Sequence, residues 1–135
     1  MGLKPSRIYL DSCIAIYLVE EHERFAPRIE SLLENLPEAS LFISDLTVME
    51  CLVGPLRNNN KPLEDKYNGW FKDVTLLAVA NAVFVEAARL RANHSSLKTP
   101  DALHLATALH FACDELWTND TRLDRIAPPI VRNIL

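Results

Sequence analysis

The stretch 99–109, Thr-Pro-Asp-Ala-Leu-His-Leu-Ala-Thr-Ala-Leu, is the most apolar helix-like segment of the chain and limits its fold more than any other. Apolar residues lie on nearly every side of it, interrupted mainly by His104 and Thr107, with His110 following. A helix apolar all round is buried between other elements. Asp101, directly after Pro100, nevertheless sits at its mouth. A buried helix that aims an acid at one point implies a packed scaffold presenting a charged site. The rest of the chain can therefore be asked whether it brings further carboxylates to the same place.

At 135 residues the chain is the size of one domain with one hydrophobic core, and no linker or repeat divides it, so 1–135 is read as a single unit. Apolar residues make up 49% and charged residues 24%, the balance of a globular protein. A net charge of −4 argues against a generic basic nucleic-acid binder, and any such contact needs a local patch of Lys and Arg. Cys13, Cys51 and Cys113 are odd in number, widely spaced and set in apolar stretches, as expected of reduced thiols in a cytoplasmic protein. No apolar run approaches the roughly 20 residues of a membrane span, so no membrane partner is expected.

Short apolar strands alternate with helices along the chain. Residues 7–10, 41–43 and 115–118 read as strands, and Val74 to Val79 is an apolar run of strand length. Helices are expected over 12–19, from Phe25 to a stop near Pro37, from Ser44-Asp45 to an end or kink at Gly54-Pro55, over 63–72, and from about Asn81 onward. Residues 57–62 read as a polar loop, Asp120 to Ile126 as a turn or short helix, and Ile130-Val131 as a short apolar tail. This order predicts an α/β fold of three layers, with a mostly parallel sheet covered on both faces. Ligands of such folds sit beyond the carboxyl ends of the strands.

That rule singles out four acids. Asp11 follows the first strand, Glu50 lies about two turns into the helix after the second, Asp101 opens the buried helix, and Asp120 follows the strand 115–118. Each also has a purely structural reading. Asp11 and Asp120 can cap helices, Asp101 can complement a helix dipole, and Thr47 and Glu50 have the spacing of a capping box. Taken together, like charges crowded at one edge repel, and some must protonate unless a cation sits among them. Oxygen ligands of this kind suit Mg²⁺ or Mn²⁺. Such a cation lowers the pKa of a bound water and stabilises charge at an attacked phosphate. No covalent nucleophile is evident: Ser12 lacks an obvious partner His.

These blocks resemble a known family. Ile8-Tyr9-Leu10-Asp11-Ser12 looks like the opening strand and first acid of PIN-domain nucleases. The run from Ile43 to Gly54, with Glu50, is similar to their second block, the run from Thr99 to Ala108 to their third, and Trp117-Thr118-Asn119-Asp120 to their fourth. Length and block style look most like VapC, the toxin of bacterial and archaeal type II toxin–antitoxin pairs. The resemblance implies a PIN fold and Mg²⁺- or Mn²⁺-dependent cleavage of RNA, with Asp11, Glu50, Asp101 and Asp120 as the acidic catalytic and metal site. It makes Ser12, Thr47 and Thr118 polar neighbours that orient carboxylates or a metal-bound water. It also implies a small VapB-like antitoxin and a homodimer. One departure is Leu123, where many relatives carry an aromatic. Arg57, Lys61, Lys66, Arg122 and Arg125 are candidates for RNA phosphates, Asp124 is a candidate further acid or a solvated turn residue, and His104 either faces the site or packs. Two other readings stay open: a PIN-domain nuclease of RNA or DNA processing without an antitoxin, and a PIN-fold binding module without turnover.

Overall fold

The structure, a computed structural model, describes residues 4–127 and 129–135, so residues 1–3 and 128 of the expected single domain lie outside the described residues. Five strands form one parallel sheet: β1 (Arg7–Leu10), β2 (Ser40–Ser44), β3 (Thr75–Leu77), β4 (Glu115–Thr118) and β5 (Val131–Asn133), in the order β3-β2-β1-β4-β5. The helices among the described residues are α1 (Ser12–Val19), α2 (Phe25–Glu34), α3 (Asp45–Arg57), α4 (Lys61–Phe71), α5 (Asn81–Asn93) and α6 (Thr99–His110), and a 3₁₀ turn covers Leu123–Arg125.

Successive side chains of a strand point to opposite faces, and β1 shows how this divides the core. Tyr9 faces one way, packing with Phe42 and Leu116 against Val83 and Ala87 of α5 and the buried side of α6. Ile8 and Leu10 face the other way, with Ile43 and Trp117, against Ile14 of α1 and Ile29 of α2. A smaller cluster of Ala15, Val19, Cys51 and Tyr67 joins α1, α3 and α4. The result is the expected three-layer α/β/α arrangement.

Strand order also locates the switch in chain direction. From β1 the chain moves outward to β2 and β3, then returns to place β4 on the other side of β1. The crevice at such a reversal is where open parallel sheets bind ligands. Here it lies beyond Leu10 and Thr118, where the Asp11 N–H donates to the Trp117 carbonyl at 3.0 Å.

Several local readings change. The run Val74 to Val79 contributes only the three residues of β3, an edge strand paired solely with β2, on which Thr75 and Leu76 are exposed. The apolar tail becomes β5, paired parallel with β4. Helix α3 runs through Gly54-Pro55 to Arg57; the N–H that Pro55 lacks removes one hydrogen bond without ending the helix. Helix α4 begins at Lys61, two residues earlier than expected. The Asn60 side chain caps it by accepting from the Leu63 N–H at 3.2 Å, and Pro62 sits in the first turn, where its missing donor costs nothing. The capping box of α3 is formed by Ser44 and Thr47, not by Thr47 and Glu50.

Helix α6 is buried over seven consecutive residues, Ala102 to Ala108, whereas Leu109 is 40% exposed. Its end is closed by Ala112 in the left-handed region at φ 53°. The Cys113 N–H donates to the Ala108 carbonyl and the Ala112 N–H to that of Leu109. Replacing Leu105 by Ala is expected to cost about 2–5 kcal/mol in chemical denaturation, and the same change at Leu109 less than about 0.5 kcal/mol. Ala112→Gly, which relieves the left-handed strain, is expected to stabilise by roughly 0.5–1 kcal/mol in the same measurement.

Candidate functional site

The first acid is held by the end of β1. Asp11 caps α1 with its Oδ1, which accepts the Ser12 N–H at 2.7 Å. Its Oδ2 accepts the Thr118 hydroxyl at 2.7 Å, across from the neighbouring strand. That hydroxyl in turn accepts the Asp120 N–H at 3.0 Å, so one threonine at the end of β4 links the loops carrying Asp11 and Asp120. Asp11 is buried, which leaves these contacts little freedom to change.

Glu50 reaches the same region from α3. Its Oε1 accepts the Ser12 hydroxyl at 2.6 Å and faces His104 Nε2 at 2.6 Å. His104, one turn after Asp101 on α6, is itself buried and stands 3.7 Å from Asp11 Oδ1, between two of the acids. Burial pushes the Glu50 carboxyl upward, but hydrogen bonds from His104 and Ser12 outweigh it and leave Glu50 below the ordinary glutamate range.

Asp101 shows the opposite balance. Burial raises it most, and the charges of Asp11 and Asp120 raise it further, against smaller opposing effects of Arg122 and His104. Asp101 therefore senses both other aspartates. Asp120 is held below the usual range by the Arg122 guanidinium, which grips it with both arms: Nε to Oδ1 at 3.0 Å and Nη2 to Oδ2 at 2.7 Å. Asp11, Cys13, Tyr17, Asp120 and Arg122 line an open pocket at this edge. Burial and the nearby Asp11 charge push the Cys13 thiol up to about 12, so it stays protonated and a poor nucleophile.

The acids expected to meet thus come to one edge of the sheet, two of them already paired with a basic side chain of the same chain. Among the described residues no three His, Cys, Asp or Glu side chains stand as a ready-made metal-ligand group. Of the expected polar neighbours, Ser12 and Thr118 each donate to a carboxylate. Thr47 instead caps α3 and lies 3.5 Å from the Tyr9 hydroxyl. Of the candidate phosphate ligands, Lys61 pairs with Asp65 and Lys66 with Glu21, Arg57 and Arg125 are exposed, and Arg122 alone among them lines the acidic pocket. Sequence reasoning missed Tyr9 and Ser44. The available signal was a tyrosine on an inward strand position, whose hydroxyl must find a partner.

A raised Asp101 has a thermodynamic consequence. Because its folded-state pKa lies above the unfolded value, the ionised form is disfavoured by folding. The penalty is full at neutral pH and fades as pH falls through the folded pKa. In the presence of a chelator, Asp101→Asn is expected to raise the melting temperature by a few degrees at pH 7 and to lose that advantage toward pH 4, as read by thermal melts across pH.

The family model for the PIN domain matches residues 8–128. No curated protein matches at the level of sequence. Among solved structures, a toxin–antitoxin complex from Klebsiella pneumoniae is similar at 25% identity and a TM-score of 0.76, over 93% of this chain and 97% of that one. VapBC-1 from nontypeable Haemophilus influenzae is similar at 19% identity and a TM-score of 0.77, over 93% and 97%. VapC20 of Mycobacterium tuberculosis, a toxin that cleaves the sarcin–ricin loop, is similar at 13% identity and a TM-score of 0.73, over 87% and 93%. Among the described residues no helix is long and apolar enough to cross a membrane. With the family model spanning nearly all of the sheet and its helices, this chain belongs to the PIN domain family.

Proposed function

We propose that the chain is a divalent-cation-dependent endoribonuclease that hydrolyses RNA phosphodiesters as the toxin of a VapBC-type pair. The observation that carries the reading is the convergence of Asp101 with Asp11 and Asp120: acids far apart in sequence meet where the sheet changes direction, and burial together with the two neighbouring charges disfavours the ionised form of Asp101. A fold gains nothing from such crowding unless positive charge is brought to it. Family membership and likeness to toxin–antitoxin complexes support the same assignment.

The donor set fits a hard cation in kind, being made only of carboxylates. Asp11, Asp101 and Asp120 would hold it, with Glu50 at the side shared by Ser12 and His104. When bound, Mg²⁺ or Mn²⁺ supplies an activated water and stabilises charge at the phosphate. The chain's own residues do the rest. Thr118 and Ser12 fix the Asp11 and Glu50 carboxylates by donating to them. Arg122, exposed at the pocket edge, neutralises Asp120 and can turn to an RNA phosphate once a cation replaces it.

The second reading, a PIN-fold module that binds without turnover, draws on the pairing of Asp120 with Arg122 and of Glu50 with His104. One experiment separates the two. Protein freed of any antitoxin is expected to cut RNA in Mg²⁺ or Mn²⁺, and Asp11→Asn or Asp101→Asn to lower the rate by about 100-fold or more while leaving the circular dichroism spectrum unchanged. Absence of cleavage by the wild type across both metal titrations overturns the enzyme reading. Rescue of growth by the adjacent small gene on co-expression is the expected sign of a VapB-like antitoxin, and its failure points instead to a processing nuclease.

A further inference from the structure

A chain of polar side chains runs through the apolar interior and ends on Glu50. Tyr9, fully buried on β1, has its hydroxyl 2.6 Å from His104 Nδ1 and 2.8 Å from the Ser44 hydroxyl. His104 is 1% exposed, and its other nitrogen, Nε2, lies 2.6 Å from Glu50 Oε1. Ser44 ends β2 and caps α3, the helix that carries Glu50. The chain therefore begins at the start of α3, crosses β1 and α6, and returns to α3 about two turns later.

The direction of each bond follows from what the groups can do. An ionised carboxylate only accepts, so Nε2 carries the proton that faces Glu50. In a neutral ring Nδ1 then accepts, the Tyr9 hydroxyl donates to it, and the Ser44 hydroxyl donates to the phenol oxygen. Every donor finds one acceptor. Filling space alone does not call for this arrangement: Phe at position 9 and Leu at 104 occupy similar space, and of the buried groups in this polar chain only the Ser44 hydroxyl would then need another partner.

We propose that Tyr9 and His104 are positioning residues for Glu50: the phenol sets the tautomer and orientation of the imidazole, and the imidazole holds the carboxylate toward the acidic site. The inference rests on the nuclease reading for its consequence, since it is at that site that a fixed Glu50 matters. Outer-shell hydrogen bonds of this kind typically change metal affinity or activity about 10- to 100-fold.

The test compares wild type, Tyr9→Phe, His104→Leu, His104→Gln and Asp101→Asn for Mn²⁺ binding by calorimetry, kcat and KM on RNA, and thermal melting. Tyr9→Phe and His104→Leu are expected to weaken Mn²⁺ binding roughly 10- to 100-fold and to lower kcat with little change in KM. His104→Gln, whose amide offers both a donor and an acceptor, is expected to recover most of the loss. Wild-type Mn²⁺ binding and kcat in folded Tyr9→Phe, in a series where Asp101→Asn has lost both, overturn the proposal; should His104→Leu fail to fold, Tyr9→Phe decides alone. The nuclease reading fails separately, if the wild type neither binds Mn²⁺ nor cuts RNA. The positioning is then judged by ¹⁵N spectra of labelled histidine: an unprotonated Nε2 on His104 overturns it, and a protonated Nε2 whose shift moves in Tyr9→Phe upholds it.

Discussion

The gathering of carboxylates at one partly buried edge of the sheet sets the terms for the rest of this molecule. Asp11, Asp101 and Asp120 arrive from three separate elements, and each is fixed from behind: Asp11 by a helix N-terminus and a threonine, Asp101 by a helix buried along seven residues, Asp120 by a loop tied to β4. A looser scaffold would let the charges drift apart into solvent. Close packing around α6 and β1 prevents that, because interiors at crystal-like density yield little to a force at one edge.

The response to this crowding is local. Two of the acids, Glu50 and Asp120, meet basic groups of the same chain and are held below their usual range. Asp101 has only weak opposing influences and is held above its own. One edge of the sheet thus carries carboxyls of one chemical type with divided proton affinities, and environment alone divides them. The exposed ion pairs elsewhere, such as Lys61 with Asp65, are screened by water and add little.

What could be read from the sequence was what depends on short-range pattern. The strands of 7–10 and 115–118, the buried body of α6 and the positions of the acids after strands follow from apolar runs and from the rule of strand ends. Readings failed where tertiary context decides. β5 is too short to show a period and exists because β4 offers it an edge. The Lys61 start of α4 depends on which nearby Asn becomes the cap, and Ser44 displaced Glu50 from the capping box because Glu50 is drawn to Ser12 and His104 instead. Tyr9 looked like a plain strand residue since its partners lie 35 and 95 positions away.

The brevity of the outer strands has one more consequence. β3 and β5 each span three residues, so either border of the sheet offers only a short run of backbone. Such a border is a poor template for adding another chain's strand, which guards against edge-to-edge aggregation. It also limits how any companion protein can attach. Affinity must come from side chains seated on helices and on the loops around the acids, a surface whose specificity can change residue by residue without disturbing the sheet beneath.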